Sequence, residues 1–150
     1  AQGAKGRRFK YPVSVLAVIH TPDLQMLLLE RADHPGYWQS VTGSQEPGET
    51  LLQTVAREVT EETGLNSDDY LLTDWHTSSH YAIYPEWRWR YAPEVTHNTE
   101  HVFSLMLPEI RTIDIAEREH LGYCWLPWQE AELKVFSPSN AQAIRTVACR

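Results

Sequence analysis

The sequence predicts an α/β or α+β fold with mostly strands and few helices. Three observations carry that expectation: a β-branched apolar run at Val13–Ile19, one strongly periodic helix at Leu51–Thr63, and two late prolines suited to the first turns of closing helices, Pro127 and Pro138. Val13-Ser14-Val15-Leu16-Ala17-Val18-Ile19 is apolar enough for a buried strand, and Thr21-Pro22-Asp23 turns it into a second run, Gln25–Glu30. Trp38–Thr42 reads as a short third strand, followed by a loop carrying Gly43, Pro47 and Gly48. In the helix, Leu52, Val55, Ala56 and Val59 recur at helical spacing, and Gly64 supplies the C-terminal stop. Further strands are expected at Leu71–Trp75, His76–Tyr84, His101–Leu107 and Tyr123–Leu126. With no repeat or linker, residues 10–150 read as one domain behind a terminal arm of residues 1–9.

Composition narrows the function. A chain of 150 residues, 42% apolar, buries a core without disulfides or a structural metal. Twenty acidic against thirteen basic side chains leave a net charge of −7, which argues against nucleic acid as partner. A small anion remains possible, because bound metals or a few cations reverse a local field. Val13–Ile19 is too short to span a bilayer, so no membrane partner is expected. Cys124 and Cys149 form no motif, and the first eight residues lack the apolar stretch of a signal peptide. A cytoplasmic location is expected. The oligomeric state stays open, with a monomer favoured.

The chemistry concentrates between Gly43 and Leu65. On a helical wheel with Glu58 at zero, Glu62 falls at about 40° and Glu61 at about −60°, while Leu52, Val55 and Val59 centre near about 100°. Three carboxylates thus share one face beside a face that packs. Like charges at this spacing repel by a few tenths of a kcal/mol per pair, so the cluster is favourable only around a cation. Mg²⁺ or Mn²⁺ suits such hard oxygen ligands and keeps waters for exchange with substrate. Arg57 on the far flank can hold a further carboxylate, with Glu49 the candidate. An acidic helix face is more often merely solvated; here the spacing decides otherwise.

Gly43, five residues, Glu49, seven residues, then Arg57-Glu58-Val59-Thr60-Glu61-Glu62-Thr63-Gly64-Leu65 fills every fixed position of the Nudix box. Chance agreement is on the order of 10⁻¹⁰ per start position at ordinary residue frequencies. The chain therefore resembles the Nudix hydrolases. That resemblance implies a mixed β-sheet sandwiched between helices, a loop–helix–loop catalytic box, and substrates with a diphosphate linked to another moiety. It also implies Glu58 and Glu62 as main metal ligands, Glu61 as a further ligand or water-orienting base, the Gly43 carbonyl near a metal, and Arg57 with Glu49 locking the loop.

Outside the box, Trp38-Gln39-Ser40-Val41-Thr42-Gly43-Ser44, Arg90-Tyr91-Ala92-Pro93, Asn98-Thr99-Glu100 and Glu119-His120-Leu121 resemble one subfamily, the bacterial pyrophosphohydrolases of dihydroneopterin triphosphate in folate biosynthesis. By that resemblance Lys10, Arg31, Thr42 and Ser137 contact substrate, and Glu119 is a metal ligand outside the box. Each has a plainer role available. Lys10 could be a solvated strand-edge lysine, Arg31 could pair with Asp33, Thr42 could satisfy a turn, and Ser137 could cap a helix. Trp38, just before the box, is the tryptophan expected at the pocket, whereas Trp75, Trp125 and Trp128 are expected to pack. Trp87-Arg88-Trp89-Arg90-Tyr91, on a strand or hairpin, would turn both arginines to one face, toward phosphates or Glu86 and Glu94. The scattered histidines His76, His80, His97, His101 and His120 are assigned no metal.

The function expected by resemblance is Mg²⁺-dependent conversion of dihydroneopterin triphosphate to its monophosphate and pyrophosphate. The rivals are the same chemistry on (deoxy)nucleoside triphosphates and a silent nucleotide-binding regulator. The retained Glu49, Glu58, Glu61 and Glu62 disfavour the latter.

Overall fold

Strand β1 (Val13–His20) is buried along nearly its whole length and pairs with three other strands. The computed structural model describes residues 9–150, so nearly all of the expected terminal arm lies outside the described residues. The remaining strands are β2 (Gln25–Arg31), β3 (Trp38–Gln39), β4 (Val41–Ser44), β5 (Leu71–Ala82), β6 (His97–Met106) and β7 (His120–Pro127). They form one seven-stranded mixed sheet along the path β3-β2-β1-β6-β5, with β4 on β1 and β7 on β2. Among the described strands only β1 and β6 pair in parallel, in register Val13↔Thr99 to His20↔Met106, and the intervening strands and helix supply the long crossover that a parallel pair needs.

Helix α1 (Leu51–Thr63) covers one face of the sheet; α2 (Trp128–Lys134) and α3 (Pro138–Ala148) cover the other. Val15, Ala17 and Ile19 of β1 pack with Val55 and Val59 of α1, while Leu16 and Val18 pack with Ala131 and Ile144. Burial on both faces explains why β1 is continuously apolar instead of alternating. The expected layers, a mixed sheet sandwiched between helices, are present. Trp75, Trp125 and Trp128 pack against these two cores as expected.

Four local expectations need correction. Trp38–Thr42 is two strands: β3 pairs with β2, β4 pairs with β1, and the chain changes partner at Ser40. There Asn140 of α3 accepts from the buried Ser40 N–H at 2.8 Å and donates to its Oγ at 2.9 Å, replacing a sheet bond at the kink. The two strands expected over residues 71–84 are one strand, β5, interrupted by a register shift between Asp74 and Ser78 with His76 at φ 54°. The Trp87–Tyr91 run is largely a 3-10 helix, Pro85–Arg90, so Arg88 and Arg90 do not share a strand face. Leu52 is 55% exposed; Leu51 instead joins Val55 and Val59 against the core. The buried side of α1 is shared with Thr54, Glu58 and Glu62, which rotates the apolar stripe away from Leu52.

Candidate active site

Helix α1 starts at a capping box. The Thr50 hydroxyl accepts from the Gln53 N–H at 3.1 Å, and the Gln53 side chain accepts from the Thr50 N–H at 2.9 Å. It ends at Gly64, whose φ of 76° suits a residue without Cβ. Between these caps, Glu58 and Glu62 stand one turn apart on the buried side. Gly43 on β4 makes room for the first of them: a Cβ built there would lie 2.0 Å from Glu58 Cδ. The glycine is needed for close approach, not for an unusual backbone angle.

Arg57 ties this helix to the preceding loop. Its Nε and Nη2 donate to Glu49 at 2.7 and 3.0 Å, Nη2 also to the Ser44 carbonyl at 3.0 Å, and Nη1 to Glu58 at 2.9 Å. Glu49 also accepts from the Thr54 hydroxyl and the Glu46 N–H, each at 2.9 Å. The Arg57 hydrogen bonds hold the Glu49 carboxyl down at about 2, well below its ordinary range. The loop-locking geometry expected of Arg57 and Glu49 is present.

Glu58 and Glu62 behave in the opposite way. Burial raises the Glu58 carboxyl, with Arg57 offsetting part of the effect. Burial raises Glu62 further, and the neighbouring carboxylates Glu58 and Glu119 push in the same direction. Glu62 is 1% exposed, and its Oε1 has no hydrogen-bond partner among the described residues. A buried carboxylate oxygen without a donor is costly unless a cation meets it. Its surroundings fit a divalent metal: single donor atoms of Glu62, Glu119 and His120 lie within 4.8 Å of one another. His120, packed 3.6 Å from Glu62, is pulled down to about 4 by burial and then by the charge of Arg31, so its ring is neutral at neutral pH. Glu61 is the exposed member, 3.5 Å from Arg57 Nη1.

These groups open onto a cavity of about 1050 Å³. Lys10, Arg31, Thr42 and Ser137 line it together with Gly43, Glu58, Glu61, Glu62 and Glu119. The plainer roles also hold for Arg31 and Ser137, whereas Thr42 sits in β4 and bonds across the sheet and not within a turn. Arg31 donates to Asp33 through Nε and Nη2, both at 2.7 Å, and to Gln39 at 2.9 Å; the Thr42 hydroxyl donates to the Val15 carbonyl at 2.9 Å; Ser137 caps α3 by accepting from the Asn140 N–H at 3.1 Å. Lys10 is not merely solvated. Burial lowers its amine, the charges of Arg90 and Arg31 add to that, and Glu58 and Glu62 oppose it, and the side chain lines the cavity with all four.

Trp38 is a correction. It is absent from the cavity wall and packs with the α2/α3 core, its ring beneath Lys134 at 4.9 Å. In a strand successive side chains face opposite ways, and Gln39 takes the cavity side. The aromatic wall is instead Tyr84, Trp87 and Phe136, with the Arg31 guanidinium 4.3 Å above Trp87. Arg90 pairs with Asp33 at 3.3 Å, not with Glu86 or Glu94. His120, assigned no metal from the sequence, stands with Glu62 and Glu119 in a group able to hold one, and residue type alone gives no role to Tyr81, Asn98, Glu100 or Phe136. His120, Asn98 and Glu100 lie in segments that stand out by resemblance alone; nothing in the sequence marks Tyr81 or Phe136 as site residues.

The NUDIX domain model matches residues 10–147. The chain is 44% identical over 143 residues to the dihydroneopterin triphosphate diphosphatase of Escherichia coli K12, covering 93% of this chain and 94% of that one. It is 40% identical over 141 residues to the Haemophilus influenzae protein of the same name, covering 92% and 88%. The solved structure of the E. coli dihydroneopterin triphosphate pyrophosphohydrolase superposes with a TM-score of 0.87 over 92% of this chain and 95% of that chain. The helix carboxylates, the Arg57–Glu49 lock and a match running nearly end to end make this chain a member of the NUDIX family.

Proposed function

We propose that the chain is a pyrophosphohydrolase cleaving dihydroneopterin triphosphate to dihydroneopterin monophosphate and pyrophosphate, with Mg²⁺ as its metal and Mn²⁺ as a substitute. The observation that carries this is one cavity joining three things a ring-bearing triphosphate needs. These are a carboxylate cluster, a group of cations and an aromatic wall. The similarity to the two bacterial diphosphatases selects the substrate from the triphosphates that such a cavity could take.

The metal would be held by Glu58, Glu62 and Glu119, with Glu61 and the Gly43 carbonyl as further oxygen donors. When bound, it supplies Lewis-acid polarisation of a phosphoryl oxygen, a lowered pKa for the attacking water and neutralisation of the leaving pyrophosphate. The chain's own residues do the rest. Lys10, Arg31 and Arg90 balance phosphate charge, Asp33 holding both guanidiniums in position. Thr42 stands between the carboxylates and the ring end, its backbone N–H toward Glu62 and its side chain beside Glu100, with its hydroxyl hydrogen held by the Val15 carbonyl. Glu61, open to solvent, would orient the attacking water. Tyr84, Trp87 and Phe136 offer the ring an apolar surface.

The decisive experiment compares kcat/KM for dihydroneopterin triphosphate and the eight common nucleoside triphosphates with Mg²⁺, assaying pyrophosphate against orthophosphate. Preference for the pterin substrate with release of pyrophosphate supports the reading; preference for a nucleotide, or release of orthophosphate, overturns it.

Two further outcomes are expected. Glu119→Ala should lower kcat strongly and weaken the apparent Mg²⁺ affinity, because it removes an oxygen from the group around Glu62, while Glu117→Ala should do little. The reverse ranking of the two variants would remove Glu119 from the metal site. Arg31→Ala should raise KM by on the order of tenfold, and Arg31→Lys should not restore it, because Lys cannot copy the planar fork held by Asp33 and Gln39. Unchanged kinetics with a lowered Tm would make Arg31 a structural residue only.

A further inference from the structure

The cavity wall away from the carboxylate cluster holds a buried polar group for which the reaction has no use. Glu100 on β6 is 5% exposed and Asn98, two residues earlier, is 2% exposed; both line the cavity. They face the α3 side with Ser14, the β1 residue paired with Glu100. Ser139 donates to Glu100 Oε1 at 3.0 Å, Tyr81 reaches Oε2 at 3.4 Å, and Thr42 of β4 lies beside the same carboxylate while its hydroxyl donates to the Val15 carbonyl. Asn98 gives both amide hydrogens away, to Ser14 at 2.8 Å and to the Tyr81 oxygen at 3.0 Å. The run from Asn98 Nδ2 through the Tyr81 hydroxyl to Glu100 fixes which way the amide points. It leaves Asn98 Oδ1 buried with no donor among the described residues.

A carboxylate has about four lone-pair sites and an amide oxygen two. Glu100 and Asn98 Oδ1 therefore leave acceptor sites free on this wall, and no Lys or Arg ion-pairs with Glu100 among the described residues. Burial without such a cation raises the Glu100 carboxyl, which a ligand bringing N–H donors would relieve. Glu100 lies two strands across from β4, a separation of about 10 Å at ordinary strand spacing. That leaves room for phosphates at one end of the cavity and a ring at the other.

We propose that Glu100 is a specificity-determining residue that reads the 2-amino-4-oxo-pyrimidine edge of the substrate ring. Its two oxygens accept the ring N–H and one hydrogen of the adjacent amine, and Asn98 Oδ1 accepts the other amine hydrogen. Pterins and guanines share this edge. Adenine presents an acceptor where the ring N–H should be, and hypoxanthine keeps the N–H but lacks the amine. The inference rests on the proposed triphosphate hydrolysis and names the ring chemistry that the same cavity selects.

The test measures kcat/KM for dihydroneopterin triphosphate, GTP, ITP and ATP with wild type and Glu100→Gln, alongside Tm. Wild type is expected to favour GTP over ITP by on the order of 10²-fold, since a site built for a hydrogen bond rejects the analogue lacking it. In Glu100→Gln the carboxamide turns an N–H toward the amine. GTP and dihydroneopterin triphosphate should fall by on the order of 10²-fold, mainly in KM, whereas ITP changes little and the ATP-to-GTP ratio rises at least about tenfold. An unchanged ratio, or an equal loss on all four substrates, overturns the assignment. If the variant does not fold, the wild-type GTP-to-ITP ratio decides alone, and a ratio near one overturns it. Failure of the functional reading looks different: wild type then handles dihydroneopterin triphosphate no better than the nucleotides, whatever the GTP-to-ITP ratio.

Discussion

Glu62→Gln is expected to lower turnover by on the order of 10³-fold while making the metal-free chain more stable. Lewis-acid stabilisation is worth several kcal/mol, and about 1.4 kcal/mol is tenfold in rate, which sets the first effect. The second follows from the 1% exposed carboxylate, whose Oε1 lacks a donor, beside Glu58 and Glu119. The folded chain holds the Glu62 proton more tightly than the unfolded chain does. Stability therefore falls as pH rises from the unfolded value of about 4.5 through the raised folded value. The neutral amide carries no such cost. It can keep an acceptor toward the Thr42 N–H and turn its NH₂ toward Glu58. In chelator, the Tm gain of Glu62→Gln over wild type should be small near pH 4 and grow toward neutrality. Adding Mg²⁺ should raise the wild-type Tm and leave the variant nearly unmoved. Wild-type turnover in Glu62→Gln, or a metal-free Tm that falls at neutral pH, would contradict the metal-ligand assignment.

Sequence was informative where local spacing decides geometry. Helix α1 is one continuous element with both ends capped, so the offsets of Arg57, Glu58, Glu61 and Glu62 fix their relative directions before any tertiary contact forms. Glu49 lies eight residues before Arg57 in a loop held by its own hydrogen bonds. The stripe was less legible, because a wheel cannot tell Leu51 from Leu52 when buried carboxylates share the packed side. Trp38 illustrates a different limit. The change of partner at Ser40 depends on Asn140, a hundred residues away, and in a strand one residue of offset moves a side chain to the other face. His120 and Glu62 meet only because β7 pairs with β2; Glu100 and Ser14 meet only because β6 lies parallel to β1. Contacts between distant strands leave no periodicity in the sequence, so the carboxylates were readable and the wall of Asn98, Glu100 and Tyr81 was not.

Gly43→Ala is expected to lower kcat by on the order of 10²-fold with only a modest change in Tm. The added methyl would stand 2.0 Å from Glu58 Cδ, 2.1 Å from Oε2 and 2.5 Å from Oε1, and non-bonded carbons do not approach so closely. One partner must move. Strand β4 is pinned by its register with β1 from Ser14↔Ser44 to Ala17↔Val41, whereas the Glu58 side chain has three rotatable bonds. The carboxylate therefore gives way, and in doing so it leaves the Arg57 Nη1 that it meets at 2.9 Å and the neighbouring Glu62. A catalytic oxygen displaced by an ångström can cost about 10²-fold in rate. Stability changes less, because the move takes a buried charge toward solvent as it breaks one ion pair. Gly122→Ala is the control, since a Cβ there meets nothing within 4 Å and its kinetics should match wild type. The discriminating measurement is a double-mutant cycle with Glu58→Gln. If Gly43 acts through Glu58, the double variant loses no more turnover than Glu58→Gln alone. Additive losses would mean that the glycine serves some other part of the site, and wild-type kcat in Gly43→Ala would show that the close approach is dispensable.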